Sequence, residues 1–394
     1  MSYIERVLEP VLRRAIGRNK SVLLLGPRQT GKTTLLDRLP HDLSLSLVRA
    51  DVRQRFEKNV SLLQAEVETL RERLGRRPLV LLDEIQKIPA IMDVIQDLID
   101  RHQGNFVLTG SSARKMRRAP QTNLLPGRVV SLRLDPLTLP ELPKRHLRER
   151  LAYGDLPGIV TVQAESDRQQ DLESYVTTYL EEEIRMEALV RNMGTFGRFL
   201  ELAASESGQI VNLRKLSQEI GVAHTTIADY YQILEDCLVV ERVEPYTQSR
   251  TRKKLTKSQK YLFFDLGVRR VAAHEGALLP QSVFGHLFEQ MIGLDLIRLA
   301  RLAVEHPIIR FWRDPDGPEV DWVIEFPDRL IPIEAKWTSA PALQDAKHLN
   351  VFLKEYPKAR KGFVVCQTPR PFKLSPAIEA IPWQDIPNLL TRKI

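Results

Sequence analysis

The sequence predicts an α/β protein in which a parallel sheet with helices comes first and a smaller α/β domain comes last. Within the first 110 residues, three apolar runs of strand length each lead into a turn or a helical pattern. Near residue 320, after a largely helical middle region, apolar and polar residues alternate as they do in a β-strand. The chain has 394 residues, which at roughly 150 residues per domain predicts two to three domains.

Composition excludes several classes of protein. Apolar residues make up 43% and charged residues 27% of the chain, which excludes an intrinsically disordered or fibrous protein. We expect neither a signal peptide nor a membrane span, and therefore a cytoplasmic location, because no basic-then-apolar leader and no long uncharged apolar run occur. Cys237 and Cys366 are too far apart in sequence from each other and from His clusters to predict a disulfide framework or a zinc finger.

The positive charge is concentrated in two segments. The formal net charge is +8. Residues 111–150 contain ten basic and three acidic side chains, and residues 249–260 contain six basic side chains and no acidic one. Localised positive potential favours a polyanionic partner. Solvated basic loops are the alternative interpretation.

The first apolar run, 21–25, leads into the nine residues GPRQTGKTT and then into a helical pattern. This is a complete Walker A loop, whose backbone N–H groups surround a phosphate chain while Lys32 reaches the terminal phosphates and Thr33 ligates magnesium. ATP and Mg²⁺ are the predicted cofactors. The predicted nucleotide-binding residues are Gly26, Gln29, Thr30, Gly31, Lys32, Thr33 and Thr34.

Two further strands supply polar residues where they end. Asp83 and Glu84 follow the run 79–82, so Asp83 is the predicted magnesium residue and Glu84 the candidate base that polarises the attacking water. The alternative is a buried strand that happens to end in two exposed acids. The run 105–109 leads into Ser111, which we expect at the same sheet edge, where it could sense the γ-phosphate.

The segments GPRQTGKTT, LLDEIQK, LTGSSAR and LPGRVVSLRLDPLTLPEL together resemble the AAA+-type ATPase domain of a large prokaryotic family. Its members join this domain to a carboxyl-terminal region of poorly assigned role, and the similarity covers essentially the whole chain. The resemblance implies ATP hydrolysis, a homo-oligomer, and an arginine that completes the site, often from the neighbouring subunit. Arg128 is the position suggested, with Arg114 and Arg118 as alternatives; Arg128 could also anchor a phosphate in its own subunit or form a structural ion pair.

Three prolines between residues 136 and 143 indicate that the chain leaves the first sheet there. We therefore predict an AAA+-like P-loop ATPase domain over 1–145 and a helical lid or connector over 146–205. A winged-helix module with a basic segment is predicted over 206–260, and a nuclease-like α/β domain over 261–394.

The middle module is predicted from two short helices separated by Gly221, the spacing of a helix-turn-helix, followed by β-prone residues and the basic segment. The start of the second helix lacks arginine, so contacts to the DNA backbone are favoured over guanine readout. An oligomerisation or lid module is the alternative. The residues predicted to contact nucleic acid are His224, Thr225, Thr226, Arg250, Arg252, Lys253, Lys254 and Lys257.

Near the end of the chain, Asp321 and Glu334 are expected on adjacent strands, where two carboxylates can share one Mg²⁺. Lys336 lies two residues beyond Glu334 and hence on the same face, where it can stabilise a pentavalent phosphate or orient water. This pattern resembles the PD-(D/E)xK nuclease core, and that resemblance implies a further acid on a preceding helix, for which Glu289 fits. A surface strand pair with no catalytic role is the alternative.

Three functions follow from these motifs. The first is an ATP-hydrolysing, DNA-associated motor or switch that couples nucleotide state to the winged helix and the carboxyl-terminal domain. The second is an ATP-gated, magnesium-dependent DNA nuclease. The third is a nucleotide-dependent signalling scaffold that binds a protein partner. Binding to DNA that weakens steeply with salt separates the first two from the third.

Overall fold

The computed structural model describes residues 3–111, 127–142, 147–180, 193–248, 255–314 and 317–391. The chain divides into two compact units. The first comprises the residues up to Leu137 together with Asp236–Val239, and the second comprises Thr138–Glu235 and Val240–Ile394. Six arginines and lysines of the sequence predictions, Arg114, Arg118, Arg250, Arg252, Lys253 and Lys254, lie outside the described residues.

The first unit is built on a five-stranded sheet in which every pairing is parallel, in the order β2-β3-β4-β1-β5. Its strands are β1 (Ser21–Leu25), β2 (Leu43–Ser46), β3 (Leu79–Asp83), β4 (Asn105–Gly110) and β5 (Val129–Arg133). Its helices are α1 (Glu9–Gly17), α2 (Lys32–Leu36), α3 (Ala50–Lys58), α4 (Ser61–Leu74) and α5 (Ile91–Asp100). Every residue of β3 and β4 is buried, as expected for strands of a parallel sheet. The predicted parallel α/β sheet is confirmed.

The position of β4 between β1 and β3 determines which side chains meet at the carboxyl edge of this sheet. Leu25 at the end of β1 pairs with Gly110 at the end of β4, and Leu82 of β3 pairs with Leu108. Ser46 at the end of β2 pairs with Asp83. The loops that follow β1, β3 and β4 therefore open onto one edge.

Among the described residues, the second unit contains ten α-helices and eight strands. Its helices are α6 (Leu147–Tyr153), α7 (Pro157–Thr161), α8 (Glu165–Ser174) with a π-helical continuation over Tyr175–Leu180, α9 (Met193–Ser205), α10 (Leu213–Ile220), α11 (His224–Asp236), α12 (Leu266–Ala272), α13 (Phe284–Leu302), α14 (Lys347–Glu355) and α15 (Ile386–Thr391). Its strands are β6 (Val240–Val243), β7 (Lys260–Phe263), β8 (Ile308–Arg313), β9 (Glu319–Glu325), β10 (Leu330–Ala335), β11 (Gly362–Cys366), β12 (Phe372–Ser375) and β13 (Ile378–Pro382).

In the middle of the chain, α9, α10 and α11 are followed by the antiparallel hairpin β6-β7. The loop before α10 runs beside β7, since the N–H of Gly208 donates to Tyr261 and that of Val211 donates to Gln259. Tyr231 stacks on Tyr261 with the ring centroids 4.2 Å apart, which fixes α11 to the hairpin. Three helices and a hairpin have the element order of a winged helix, and the winged-helix assignment stays a prediction.

The carboxyl-terminal sheet has six strands in the order β12-β13-β11-β10-β9-β8. Strands β8, β9 and β10 form an antiparallel meander, and β11 pairs in parallel with both β10 and β13. Helix α13 packs on this sheet so closely that a β-carbon at Gly293 would overlap the Trp322 ring. A separate carboxyl-terminal α/β fold is thus confirmed, as a mixed sheet.

A buried ion network joins the segment that begins at α6 to helix α13 inside the second unit. Arg150 donates to Asp155 and to Asp295, and Arg298 donates to Asp155 at 2.9 Å. Burial alone would raise the pKa of Asp155, but Arg150 and Arg298 outweigh it and hold that pKa below its usual range. Gly154, at φ +70°, leaves room for the Asp265 carboxylate, which a β-carbon would overlap. The network ties the predicted connector to the predicted nuclease-like domain.

No helix in the described ranges has the length and apolar character needed to cross a membrane.

Removal of Asp155 tests this network. Asp155→Ala removes the carboxylate that pairs with the buried guanidinium groups of Arg150 and Arg298. We therefore expect it to lower the free energy of unfolding of the second unit by roughly 3–5 kcal/mol. All four tryptophans, at 312, 322, 337 and 383, belong to this unit, so urea unfolding followed by tryptophan fluorescence reports on it alone. The control is Lys215→Ala, which removes an exposed ion pair with Glu206. Equal midpoints for the two variants would contradict the role given to Asp155.

Candidate functional site

The loop between β1 and α2 is shaped by its glycines. Gly31 has φ +90°, a value that favours glycine, and it precedes the first residue of α2. A β-carbon at Gly26 would overlap the carbonyl oxygen of Leu134, so the loop passes against the chain that follows β5 only because this residue has no side chain. Gln29 also has positive φ, and the hydroxyl of Thr30 donates to Pro27 at 2.9 Å. The loop is therefore preformed.

Lys32 is buried at the start of α2, and its ammonium lies inside the loop. Its Nζ donates to the carbonyl oxygens of Gly26 at 2.8 Å and Pro27 at 2.9 Å. A terminal phosphate drawn to this ammonium would replace the two neutral carbonyl acceptors with anionic oxygens, which form the stronger hydrogen bonds. Thr34, further along the same helix, is exposed.

Asp83 lies at the end of β3 and is held by hydroxyl groups. Thr33 donates to its Oδ2 at 3.1 Å, and Thr109 donates to its Oδ1. Ser46 lies 3.5 Å from Oδ2. A hydroxyl and a carboxylate in direct contact beside a phosphate loop are hard oxygen donors of the kind Mg²⁺ takes together with substrate phosphates. Thr33 and Asp83 thus fit a magnesium ion that a nucleotide brings with it.

Glu84 is the next residue, and its backbone adopts φ +60°. Its carboxylate accepts a hydrogen bond from the amide of Gln86 and lies 3.4 Å from the hydroxyl of Ser111. The same amide contacts Ser111 at 3.0 Å, so the three side chains form a closed triangle at the sheet edge. These contacts orient the Glu84 carboxylate and hold the Ser111 hydroxyl 3.4 Å from it.

Arg128 lies away from this edge. The strand that follows it pairs Val129 with Ser21, at the start of β1, whereas the phosphate loop follows the end of β1. Its guanidinium forms a two-point ion pair with Asp100, at 2.6 and 3.0 Å. Arg128 therefore does not reach the phosphate loop of its own chain, and the predicted arginine-finger role requires a neighbouring subunit.

Three residues at this site are absent from the sequence-based prediction. Thr109 and Gln86 contact the two acids directly, and Arg6 binds the loop by donating to the backbone oxygens of Thr30, at 2.6 Å, and Asp135, at 2.7 Å. In sequence, Gln86 is two residues from Glu84 and Thr109 is two residues from Ser111. This proximity is a weak signal that Gln86 and Thr109 belong to the site. Arg6 has no sequence signal, because its partners are backbone atoms 24 and 129 residues away.

In the carboxyl-terminal sheet, the structure brings Asp321, Glu334 and Lys336 together. Lys336 Nζ lies 2.7 Å from Glu334 and 3.9 Å from Asp321, and the N–H of Ala335 donates to Asp321 at 2.8 Å. Burial, together with the Asp321 carboxylate, raises the pKa of Glu334 to about 9 although Lys336 opposes this. Glu334 Oε1 is buried and has no hydrogen-bond partner among the described residues. An unsatisfied buried carboxylate oxygen beside a second carboxylate fits a divalent cation, which these two residues would hold.

Glu289, on α13, faces the same site but is neutralised by a lysine that the sequence assigned to no site. Lys260, the first residue of β7, donates to Glu289 at 2.8 Å and is buried. Burial opposes its charge, but Glu289 and Asp321 outweigh burial and raise the pKa of Lys260. The lysine is the last basic residue of the segment 249–260, whose composition favoured contact with a polyanion, or else a solvated loop, and not a buried ion pair.

The residues predicted to contact nucleic acid lie partly beside this carboxylate site. His224 and Thr225 are exposed at the start of α11, Thr226 is half-buried, and Lys257 is exposed before β7. His224 lines a cavity of about 830 Å³ that is also lined by Glu289 and Asp321. In the described part of the chain, no group of three or more His, Cys, Asp and Glu side chains is arranged to hold a metal ion.

Comparison with known proteins adds family matches for three consecutive segments. Residues 18–142 match a family described as an AAA domain. Residues 144–277 match a family described as Domain of unknown function (DUF8612), and residues 284–386 match one described as Domain of unknown function (DUF4143). The first match covers both the phosphate loop and the Asp83–Glu84 pair. The predicted P-loop domain of AAA type is confirmed at this level.

Two uncharacterized proteins resemble this chain over most of its length. An uncharacterized protein of Mycobacterium tuberculosis is 28% identical over 385 residues, which are 95% of this chain and 82% of the relative. An uncharacterized protein of Methanocaldococcus jannaschii is 23% identical over 329 residues, covering 70% of this chain and 67% of the relative. Among solved structures, the ORC1 protein of Aeropyrum pernix in complex with DNA is 15% identical with a TM-score of 0.29, over 69% of this chain and 93% of that chain.

The phosphate loop is tested with two lysines at opposite ends of β1. Lys32→Ala removes the ammonium inside the loop, so we expect binding of a fluorescent ATP analogue to be lost. Lys20→Ala removes an exposed lysine that precedes the start of β1 and should leave binding unchanged. Unaltered nucleotide affinity in Lys32→Ala would contradict the assignment of this loop.

Proposed function

We propose that this protein is an ATP-binding and ATP-hydrolysing, DNA-associated AAA+-type motor or switch, which couples nucleotide state in the first unit to nucleic-acid contacts made by the second. The single observation that carries the ATPase proposal is the convergence, at one sheet edge, of the Lys32 loop with the Asp83–Glu84 pair. The AAA match over 18–142 supports the same proposal.

The roles of the residues follow from their positions. The loop residues Gly26 to Thr34 bind the phosphates, and Lys32 compensates the charge of the terminal phosphate. Mg²⁺, held by Thr33 and oriented by Asp83, would supply charge neutralisation at the β- and γ-phosphates when bound with ATP. Glu84 polarises the attacking water, and the amide of Gln86 together with Ser111 keeps the Glu84 carboxylate oriented.

Arg128 completes the active site from a neighbouring subunit of a homo-oligomer. Its position at the amino-terminal end of the sheet supports this arrangement, since the guanidinium is far from the loop of its own chain. In the single chain it is neutralised by Asp100. Assembly would have to exchange that surface ion pair, which contributes little in water, for a contact with the γ-phosphate.

Association with nucleic acid is supported by the two basic segments and by the helix–hairpin order of residues 193–263. The residues proposed to contact DNA lie at the start of α11, where His224 and Thr225 are exposed, or belong to the basic segment before β7. Both groups fall within the predicted winged-helix module, 206–260. Neutralised phosphates release counterions, so this binding should weaken steeply with salt.

DNA-stimulated turnover tests the proposal. We expect ATP hydrolysis by the wild type to rise when single-stranded, duplex or branched DNA is added. Glu84→Gln, which keeps the shape of the side chain but removes the base, should retain nucleotide binding and lose turnover.

Charge reversal across Arg252, Lys253 and Lys254 should weaken DNA binding several-fold at about 50 mM salt and reduce the stimulation of ATP hydrolysis by DNA. A wild type that binds ATP but no DNA at low salt would favour a signalling scaffold instead.

A second function, magnesium-dependent DNA cleavage, is favoured by the contact of Lys336 with both Glu334 and Asp321. For this reaction, Asp321 and Glu334 would hold the Mg²⁺ ion, and Lys336 would stabilise negative charge on the phosphodiester that is cleaved. Cleavage that Glu334→Ala abolishes and Lys32→Ala retains would establish a nuclease. Loss of cleavage in neither variant would assign the activity to a contaminant.

A further inference from the structure

A cavity inside the second unit is lined both by residues of the predicted winged-helix module and by residues of the carboxylate site. It has a volume of about 830 Å³, and residues on both of its sides come from the same compact unit. One wall is formed by the segment 208–214 and by His224, which belong to the helix–hairpin part of the chain. The segments 311–313 and 319–321 of strands β8 and β9 line the same cavity. The predicted DNA-contacting helix and the carboxylate site therefore share one cavity.

We propose that this cavity binds a short segment of single-stranded nucleic acid, with Arg214, His224 and Arg313 at its rim contacting the phosphodiester backbone. The proposal rests on the DNA-associated function proposed above, and it deepens that function by assigning the strand to a place in the fold and by adding Arg214, Arg313 and Lys260 to the residues that matter.

The rim carries exposed basic side chains. Arg214, on α10, and His224, on α11, are exposed, and Arg313 at the end of β8 is half exposed and pairs with Glu319 at 3.0 Å. Glu319 also lines the cavity, and the guanidinium has five N–H donors, so Arg313 can bind a phosphate while it stays paired with Glu319. Arginine presents several N–H donors in a plane, which suits the two free oxygens of a phosphodiester.

The floor of the cavity would repel a polyanion if its carboxylates were uncompensated. Glu289 and Asp321 line the cavity, and Glu334 lies behind Asp321 across the contact with Lys336. Lys260 neutralises Glu289 at 2.8 Å, and Lys336 lies within 4.0 Å of both other carboxylates. The two ammonium groups lower the repulsion, so a strand can approach the carboxylates before any cation is bound.

The size of the cavity decides between a single strand and a duplex. Ligand cavities of about 300–1,000 Å³ enclose ligands of the size of drugs, and this volume accordingly suits one or two nucleotides. A duplex is far larger, since its major groove alone, about 12 Å wide, admits a complete helix. A single strand can lay its backbone along a positive groove of this kind without sequence preference.

The test uses two neighbouring cations on α10. Arg214 lines the cavity, whereas Lys215 does not and instead pairs with Glu206 at 2.8 Å. Both residues are exposed, and both backbone N–H groups donate to Asn212, so the side chains can be removed without losing the helix cap. Affinity for a fluorescein-labelled 12-nucleotide single strand and for a blunt duplex of the same sequence is measured by anisotropy for the wild type, Arg214→Ala, Lys215→Ala and the double variant Arg214→Ala/Arg313→Ala.

We expect Arg214→Ala to weaken single-strand binding roughly three- to ten-fold at about 50 mM salt and to lower the salt slope by about 0.7 per lost phosphate contact. The double variant should lose more, and Lys215→Ala should bind like the wild type. If Arg214→Ala and Lys215→Ala both bind the single strand as tightly as the wild type does, the cavity assignment is overturned while the DNA-associated function stands. An equal loss for the duplex overturns the choice of a single strand, and a wild type that binds neither DNA overturns the proposed function itself.

Discussion

The parallel order of the first sheet is the constraint on which the proposed chemistry depends. Because β4 lies between β1 and β3, the phosphate loop after β1 is separated from Asp83 by one strand. That strand delivers Thr109 to Asp83 and Ser111 to the Glu84–Gln86 pair. Antiparallel pairing at either position would send one of these groups to the opposite edge of the sheet. The strand order alone therefore assembles loop, carboxylates and hydroxyls.

Charge compensation has the same importance in the second unit. Its buried carboxylates are held by arginines that come from distant parts of the chain, as with Arg150 on Asp295 and Arg298 on Asp155. Breaking such a pair leaves an uncompensated charge at low dielectric, so the segments that contribute the partners are fixed to one another. The two regions matching families of unknown function, 144–277 and 284–386, are joined in this way into one unit.

The sequence could predict those parts of the sites in which neighbouring residues act together. The phosphate loop, Asp83 and Glu84 depend on local order along one strand and one turn, and a parallel α/β fold follows from the apolar runs around them. Arg6 and Lys260 could not be predicted, because each acts on atoms brought close only by tertiary folding. Gln86 lies two residues from Glu84, but its contact with Ser111 likewise depends on the tertiary fold. The basic segment 249–260 illustrates the limit: its composition indicates a surface patch, yet its last residue is a buried partner of Glu289.

In the proposed function, nucleotide bound in the first unit changes the affinity of the second unit for nucleic acid. The most direct measurement is the affinity of Glu84→Gln for a single-stranded oligonucleotide in the presence of ATP, of ADP and of no nucleotide, since this variant should bind ATP without consuming it. We expect the ATP-bound and ADP-bound states to differ in DNA affinity by about five-fold or more, the range of ordinary coupling between sites. Equal DNA affinities in all three states, with ATP binding verified in the same samples, would contradict it.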